Sequence, residues 1–344
     1  MRARLGMVGV VLLSAVVLSA CGSSSAAGPQ LSGTPSLNIS VPLSLSSCMS
    51  SDQCLALGTT GLEGNTTSAA QVTTTAGAWH AVTSPLAPST LLSSASCWNN
   101  GCLIGGSNAS GDVVWSYAAN ATAVSATSAP TAATGISVLN CFGADSCAAV
   151  DTSPFSGGSR WSETLNGGAT WSTPINLAWS QNVTMTSLAC TSATNCLLAG
   201  TLSQNGSTNT VLETTSDGGT TWQALTTKKS WHELASLSCH QSNCDALIDV
   251  GSTLVVAHSK NFGSSWHLLA GVSGEQPSAL ACISATKCVV VGSNTSGEAW
   301  IASVSNNAFT SYRLRYVPSA LVDVSCGTKR CASVASGTVV VSTI

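Results

Sequence analysis

The sequence predicts an all-β protein, a seven-bladed β-propeller whose blades are four-stranded antiparallel sheets. Seven cysteine pairs recur along the chain, and the first cysteines of successive pairs are 43 to 49 residues apart. This period is typical of a four-stranded propeller blade. Between the pairs, short apolar runs alternate with Gly, Asn, Asp and Ser, which is the pattern of strands and turns. The pairs are Cys48/Cys54, Cys97/Cys102, Cys141/Cys147, Cys190/Cys196, Cys239/Cys244, Cys282/Cys288 and Cys326/Cys331.

Each cysteine pair is predicted to close a hairpin between the first and second strands of a blade. Only four or five residues separate the two cysteines, so they face each other at a distance that a disulfide can bridge. Fourteen of the fifteen cysteines fall into these pairs. In an exported chain, which the N-terminal segment described next implies, such an even set favours one disulfide per blade. Zinc is disfavoured because metal sites prefer a two-residue cysteine spacing and need further ligands. We expect no metal and no cofactor.

Residues 1–20 read as a secretory signal that ends at a lipidation motif. Arg2 and Arg4 precede an apolar run, and Leu18-Ser19-Ala20 leads to Cys21. The apolar run is too short to cross a bilayer comfortably. The segment resembles the signals of bacterial lipoproteins, which implies an acylated Cys21 and a palmitate-type anchor on the extracytoplasmic side of the cell membrane. The alternative is a cleaved signal with a chance cysteine.

The mature chain divides into a tether and one repeat domain. Residues 21–42 are rich in Ser, Gly, Ala and Pro, which predicts a flexible tether. Residues 43–344 carry the seven blades. The chain ends one strand short of a complete last blade, and the blade spacing places the missing outer strand near residues 30–34. The alternative is an open last blade of three strands.

The charge of the chain argues against nucleic acid as a partner. Charged residues make up only 7% of the sequence, with 11 basic residues against 14 acidic ones. Removal of Arg2 and Arg4 with the signal leaves the mature chain still more acidic. We therefore predict no basic face for nucleic acid, and we expect a monomer.

Three turns at blade spacing resemble the Asp-box, or BNR repeat, of sialidase-like propellers, Ser/Thr-x-Asp-x-Gly-x-Thr-Trp. The turns run over 164–171, 215–222 and 259–266, while Trp79 and Phe309 mark eroded copies. In that family these turns are structural, and the resemblance implies that the Asp or Asn accepts N–H bonds. The positions that carry it are Asn166, Gly168 and Trp171, Asp217, Gly219 and Trp222, and Asn261, Gly263 and Trp266.

The resemblance to sialidase-like propellers implies that ligands bind on the face opposite the cysteine hairpins. The longest loops predicted there are Thr59 to Ala70, Asn120 to Thr134, Thr152 to Ser159 and Thr226 to Trp231. They carry Glu63, Arg160 at a loop end, Lys228, Lys229 and Trp231. Tyr312, Arg313, Arg315 and Tyr316 form a further polar cluster, which we interpret as solvated residues ending an outer strand.

The chain departs from the sialidase pattern because the three substrate-binding arginines and the arginine-containing N-terminal motif cannot be identified. Glu163, Glu213 and Glu298 occupy similar strand regions of three blades, so the ring symmetry is expected to keep them apart. A glycosidase needs two neighbouring carboxylates. The five histidines are scattered and give no catalytic or metal pattern: His80, His232, His240, His258 and His267.

The blade period and the fragment CLLAGT…VLETTSDGGTTW also resemble photosystem II assembly-factor repeats, which hold other proteins. Their arginine-rich patch is absent here, so only the blade pattern is carried over. We expect a membrane-anchored extracytoplasmic module that binds an envelope protein or glycan on the loops, and that is not an enzyme. The alternative is a carbohydrate-active protein, either a glycan-binding propeller or a degenerate sialidase-like hydrolase.

Overall fold

The structure is a ring of seven antiparallel sheets, as the sequence predicts. This computed structural model describes residues 30–31, 41–60, 67–73, 78–83, 90–108, 110–130, 135–153, 158–178, 183–228, 230–251, 253–269, 275–306, 308–314, 317 and 319–343. The predicted signal, Cys21 and most of the tether lie outside these residues. No helix long and apolar enough to cross a membrane occurs in the described part of the chain.

Each blade is a meander in which four strands follow one another from the central channel to the rim. The chain begins with β1 (Gln30–Leu31). Blades 1 to 3 contain β2 (Leu45–Cys48), β3 (Cys54–Thr60), β4 (Thr67–Thr73), β5 (Trp79–Ala81), β6 (Leu91–Cys97), β7 (Gly101–Asn108), β8 (Gly111–Ala118), β9 (Ser125–Thr127), β10 (Ile136–Gly143), β11 (Ser146–Ser153), β12 (Gly158–Thr164) and β13 (Ile175–Asn176).

Blades 4 to 7 repeat this order, except that the last one has only three strands from the C-terminal part of the chain. They contain β14 (Val183–Cys190), β15 (Cys196–Gln204), β16 (Ser207–Thr215), β17 (Gln223–Leu225), β18 (Trp231–His240), β19 (Asn243–Val250), β20 (Leu254–Ser259), β21 (His267–Leu268), β22 (Glu275–Ser284), β23 (Lys287–Asn294), β24 (Ala299–Ser305), β25 (Ala308–Arg313), β26 (Asp323–Cys326), β27 (Arg330–Ala335) and β28 (Thr338–Thr343).

The seventh sheet takes its outer strand from the N-terminal side of the chain. Strand β1 pairs antiparallel with β28, with Gln30 opposite Thr343 and Leu31 opposite Ser342. These two residues fall within the range from which a closing strand is expected, whereas residues 32–34 lie outside the described part. The ring therefore has no open junction between its first and last blades.

All seven cysteine pairs form disulfides between the first and second strands of their blades, which confirms one hairpin disulfide per blade. The paired Cα atoms lie 3.9 to 4.1 Å apart. We call the end of the ring that carries these hairpins the disulfide face. The turns between third and fourth strands lie on the same face. The opposite end, which carries the turns between second and third strands and the connections between blades, is the loop face.

The second cysteine of each pair is buried in the core. The second strand has a strand on either side and a neighbouring blade above and below, so its cysteine is covered. Cys102, Cys147 and Cys244 are 0% exposed, so none of the three can contact a ligand. The other second cysteines are similarly buried, at 0 to 2% exposure: Cys54, Cys196, Cys288 and Cys331. All seven are therefore structural residues.

Apolar side chains are buried mainly between neighbouring blades, so the molecule has seven clusters instead of one central core. In one of them, Val138 and Trp161 of blade 3 pack with Leu188 and Leu198 of blade 4. Trp161 is fully buried. Each blade therefore depends on its neighbours for burial, as in other repeat architectures.

Polar side chains on the inner strands join consecutive blades around the channel. Each inner strand is the edge of its sheet, so the N–H groups that point away from that sheet have no strand partner. In four junctions, the residue just before the first cysteine of one blade accepts the N–H of the first cysteine of the next. These hydrogen bonds are Cys48 N to Ser325 Oγ (2.9 Å), Cys141 N to Ser96 Oγ (2.8 Å), Cys190 N to Asn140 Oδ1 (2.8 Å) and Cys282 N to Ser238 Oγ (3.1 Å).

A second set of bonds lies two residues further from the disulfide face. Here the residue three positions before the cysteine accepts an N–H from the next blade. The pairs are Ser46 N to Asp323 Oδ2 (2.6 Å), Leu139 N to Ser94 Oγ (3.0 Å) and Leu280 N to Ser236 Oγ (3.1 Å). Together the two sets form what we call the inter-blade ladder, and they hold the blades in register.

The inter-blade ladder can be tested with two opposite substitutions at equivalent positions. Ser238→Ala removes the acceptor for the Cys282 N–H and should lower the free energy of unfolding by about 1 kcal/mol. Ala281→Ser places a hydroxyl where the next junction has none, and should raise it by about 0.5 kcal/mol. Urea unfolding without reductant measures both changes. If both variants changed the free energy of unfolding by the same amount in the same direction, the inter-blade ladder would be contradicted.

Candidate functional site

The central channel runs along the axis of the ring, and it is lined by hydroxyl groups. Inner strands of all seven blades form a space of about 260 Å³. Its lining includes Ser46, Ser94, Ser187, Ser236 and one carboxylate, that of Asp323. Because most of these polar groups belong to the inter-blade ladder, they already have partners within the protein. The channel is thus chiefly a structural element of the ring.

Asp323 joins the last blade to the first inside this channel. Its Oδ2 accepts the Ser46 N–H at 2.6 Å and the Ser46 hydroxyl at 3.1 Å. Burial raises the pKa of the Asp323 carboxyl from 3.8 to about 6, although the bonds from Ser46 act in the opposite direction. A proton therefore competes with these bonds in mildly acidic solution.

The mouth of the channel on the disulfide face is wider and more apolar. A depression of about 320 Å³ is lined by the first cysteines of several disulfides together with Trp98, Phe142 and Ile283. All three of these apolar side chains are partly exposed. Such a surface can accept an apolar group, but it offers no titratable side chain for catalysis among the residues that line it.

The three Asp-box-like turns are held by one repeated hydrogen-bond network. In the second turn, Asp217 Oδ1 accepts the Thr221 N–H at 2.9 Å and the Thr215 hydroxyl at 2.8 Å. These bonds lower the pKa of Asp217, with the Thr221 hydroxyl contributing most. Asn166 and Asn261 accept the N–H four residues ahead in the other two turns, both at 2.9 Å.

The glycines of these turns allow a close approach to the preceding blade. Gly168, Gly219 and Gly263 have φ angles of +87°, +80° and +81°. A Cβ at Gly219 would lie only 2.4 Å from the indole nitrogen of Trp161. The tryptophans that end the turns also lie against protein groups. Trp171 donates to Ser128 O at 2.8 Å, Trp222 stacks edge-on with Trp161 at 5.2 Å, and Trp266 does so with Trp231 at 6.1 Å.

A histidine and an aspartate meet between blades 5 and 6, and sequence spacing did not reveal this pair. His258 Nδ1 lies 3.1 Å from Asp245 Oδ1, beside a cavity of about 180 Å³. Asp245 Oδ2 also lies 3.4 and 3.6 Å from the sulfurs of Cys288 and Cys282. Burial raises the pKa of Asp245, and His258 partly offsets this effect.

The group of Asp245, Cys282 and Cys288 is close enough to hold a metal ion, but its sulfurs are bonded to each other. Disulfide sulfurs are not thiolate ligands. The pair could have been found from the strand register, because Asp245 and His258 occupy directly opposed positions on β19 and β20. The contact with the disulfide of the next blade could not.

A second charged cluster lies near the loop face between blades 2 and 3. Arg160 Nε donates to Asp151 Oδ1 at 3.0 Å, and Asp151 is 2% exposed. Burial and the nearby Asp151 charge raise the pKa of Asp112 to about 7, while Arg160 and Gly135 lower it. Both carboxylate oxygens of Asp112 are buried. A substrate therefore cannot contact them in this conformation, and Arg160 acts as a structural residue.

The three glutamates considered for catalysis do not come together. Glu163 and Glu213 lie on β12 and β16, where they oppose different neighbours, Ala148 and Leu198. Glu298 lies at the other end of its blade, in the turn before β24, where Asn294 Nδ2 donates to it at 2.8 Å. Glu163 and Glu213 thus occupy similar strand regions as expected, in different registers, whereas Glu298 does not lie in such a strand.

Two other expectations about the loops need correction. Trp231 is not an exposed loop aromatic, since it begins β18 and is only 1% exposed. The range Asn120 to Thr134 is not one loop, because it contains the outer strand β9 and Asn120 lies in a turn on the disulfide face. Lys228 is exposed as expected. Glu63, Lys229, Arg315 and Tyr316 lie outside the described residues, and of Tyr312 and Arg313 only the backbone, in β25, is described.

No protein-family model and no curated protein matches this chain. Several solved structures share its fold. A YCF48 bound to D1 peptide has a TM-score of 0.63 and 14% identity, and the match covers 92% of this chain and 99% of that one. YCF48 from Cyanidioschyzon merolae has a TM-score of 0.61 and 14% identity, and the match covers the same shares of the two chains.

Two enzymes share the fold equally well. The GH74 xyloglucanase from Xanthomonas campestris has a TM-score of 0.61 and 8% identity. The match covers 90% of this chain and 53% of the enzyme, so this chain spans about half of the enzyme's length. Virginiamycin B lyase from Staphylococcus aureus has a TM-score of 0.61 and 10% identity, covering 91% of this chain and 98% of the lyase. Likeness at such low identity shows the fold alone, because one fold supports many functions.

Asp323 should make the protein more stable in mild acid. Its raised pKa means that the folded state binds a proton more tightly than the unfolded chain, so stability falls as pH rises from about 4 to 6. Asp323→Asn should remove up to about 3 kcal/mol of this dependence. Thermal unfolding between pH 4 and 8 measures it.

Asp217→Asn is the matched control for this pH profile, because the other two turns already contain Asn. The pKa of the Asp217 carboxyl is lowered in the folded protein. Asp217 therefore contributes stability above the pKa that it has in the unfolded chain, and this stability is lost as pH falls. The two substitutions should therefore change the profile in opposite directions. A profile unchanged by Asp323→Asn would overturn the assignment.

Proposed function

We propose that this protein is a lipid-anchored, extracytoplasmic binding module that holds a partner protein and is not a catalyst. The observation that carries the proposal is where the described charged groups lie. Asp151 and Asp245 pair with Arg160 and His258 within their own blades, Asp323 binds Ser46 of the neighbouring blade, and the hydroxyls of the channel are used by the inter-blade ladder. A catalyst needs an accessible acid, base or nucleophile beside a substrate cavity, and the described residues place none at either end of the channel.

The partner is proposed to bind on the loop face. Loops on a rigid frame commonly carry binding, and the ring supplies a covalently stapled frame. The described turns between second and third strands include a tight one at Asn205-Gly206, and Asn205 is exposed. A propeller of the same fold has been solved with a bound peptide, namely YCF48 with D1 peptide. That example supports a protein ligand as one that this architecture can hold.

Carbohydrate is the second candidate ligand, and one observation favours it. The GH74 xyloglucanase, whose name gives a carbohydrate substrate, shares the fold. The carboxylates of Asp112 and Asp151 near the loop face are buried and are not offered as glycan contacts. The buried oxygens of Asp112 argue against catalysis there. A glycan-binding propeller is therefore a better alternative than a hydrolase.

Anchoring is tested by Cys21→Ala in the cell that exports the protein. The wild-type chain should sediment with membranes, whereas the variant should appear in the soluble extracytoplasmic fraction because two or more acyl chains are lost. Immunoblotting of both fractions, with a Ser19→Ala variant as the control, measures the distribution. Retention of Cys21→Ala on the membrane would contradict a lipid anchor at this residue.

Partner binding is tested by placing a photo-crosslinking amino acid at Asn205 on the loop face or at Ala144 on the disulfide face. Both positions are exposed. We expect a defined protein adduct from position 205 and none from position 144, identified by mass spectrometry. Adducts from position 144 alone would move the partner to the other face. Recovery of glycan without protein from both positions would favour the carbohydrate candidate.

A further inference from the structure

The N-terminal chain reaches the ring at the disulfide face. Gln30 opposes Thr343 in the seventh sheet, and Thr343 in turn opposes Arg330, which is next to Cys331. From Gln30 the strand β1 runs toward the loop face. Whatever anchors the residues before Gln30 therefore holds the ring from its disulfide side, at the rim of blade 7.

The length of the tether limits how the ring can be oriented. Eight residues lie between Cys21 and Gln30. The nine steps from one Cα to the next span at most about 30 Å. A strand of eight residues such as β7 is about 26 Å long. To bring the loop face to the membrane, the tether would have to run along the whole outer edge of the blade, with about 4 Å to spare. The disulfide face can reach the membrane without such extension.

We propose that the disulfide face rests on the lipid surface that carries the anchor, and that the loop face points away from it. This inference depends on the proposed lipidation of Cys21. It gives the ring a fixed orientation, so that the loop face is free for a partner in the extracytoplasmic space.

The apolar side chains of the disulfide face fit a lipid surface. Leu165 lies in the first Asp-box-like turn and is 68% exposed, the largest exposure among the large apolar side chains described as exposed. Trp98, Phe142 and Ile283 surround the channel mouth on the same face and are partly exposed. Aromatic rings favour the headgroup region, and bound apolar area adds to interfacial affinity.

The charges of this face are also compatible with anionic headgroups. Lys260 and Lys329 are exposed there. The acidic Asp52, Asp145 and Asp217 lie on the same face. Asp52 accepts the Lys329 N–H of the neighbouring blade at 2.7 Å, and Asp217 accepts from Thr221 within its turn. Lipid phosphates attract lysine near a membrane surface, so the two ammonium groups add to a contact that the apolar side chains provide.

The orientation can be read from the native lysines by acylation and mass spectrometry. The lipidated full-length protein is placed in vesicles of phosphatidylethanolamine and phosphatidylglycerol, and the Cys21→Ala protein in solution is the reference. Lys260 and Lys329 should be acylated about threefold more slowly on vesicles. Lys228, on the loop face, should react at the same rate in both samples.

Two matched variants separate lipid contact from general shielding. Leu165→Asp puts a charge into the proposed contact and should restore the reactivity of Lys260 and Lys329, because charged groups are disfavoured at an apolar interface. Leu91→Asp makes the same change at the start of β6, on the loop face, where Leu91 is 41% exposed. It should leave the protection unchanged.

Several outcomes would overturn the proposal. One such outcome is retention on vesicles with Lys228 as the protected residue, and another is retention with the acylation rates of all three lysines changed to the same extent relative to solution. In either case the anchor is right and the orientation is wrong. If protection appears in native membranes but not in pure lipid vesicles, a protein covers the disulfide face. If the chain is not retained on vesicles at all, lipid anchoring fails and this orientation fails with it.

Discussion

The structure depends on how the inner strands satisfy their free backbone groups. Seven sheets converge on one axis, and each presents an edge strand to a narrow channel. Unpaired N–H groups at a buried edge are costly, because they lose water without gaining a partner. Short side chains from the preceding blade fill this need, as Ser96 does for Cys141 and Ser238 for Cys282. Asn140 and Asp323 serve the same purpose at ladder positions of two other junctions.

The disulfides complete the same arrangement at the end of the inner strands. Each staples the strand that lines the channel to the strand behind it, at the residue whose N–H faces the neighbouring blade. A short loop of this kind stabilises the fold by about 2 kcal/mol on the chain-entropy model. Few charged side chains take part in holding the ring. Among them, Arg160 pairs with Asp151, and His258 Nδ1 lies within hydrogen-bond distance of Asp245. Hydroxyls, disulfides and apolar contacts between blades supply most of the stabilisation instead.

The features that could be predicted from the sequence are those that repeat. The period of the cysteines fixes the number of blades, and the turn pattern at Asp217 recurs at Asn166 and Asn261. The inter-blade ladder also has a sequence pattern, which is Ser-x-Ser before Cys97 and Cys239 and Asp-x-Ser before Cys326. By contrast, the electrostatic effect of Asp151 on Asp112 depends on how two neighbouring blades are packed, which the order of residues along one blade does not define. Trp231 was misplaced because a tryptophan at the end of a polar loop resembles an exposed one, whereas here it begins a strand.

The two faces of the ring differ in how far their shape is constrained, and this difference bears on function. On the disulfide face, hairpins of five or six residues in sequence separation and the bonded turns fix the backbone at nearly every blade. Insertions there would break a staple or a turn network. Among the described residues the loop face carries no disulfide, although the turn from Asn294 to Glu298 has side-chain bonds of its own. Loops of unequal length can therefore be accommodated there without disturbing the ladder. A binding surface that must match one partner requires such unequal loops, because seven identical ones could present only a symmetric surface. This difference between the two faces thus favours recognition on the loop face, while the disulfide face supports the ring.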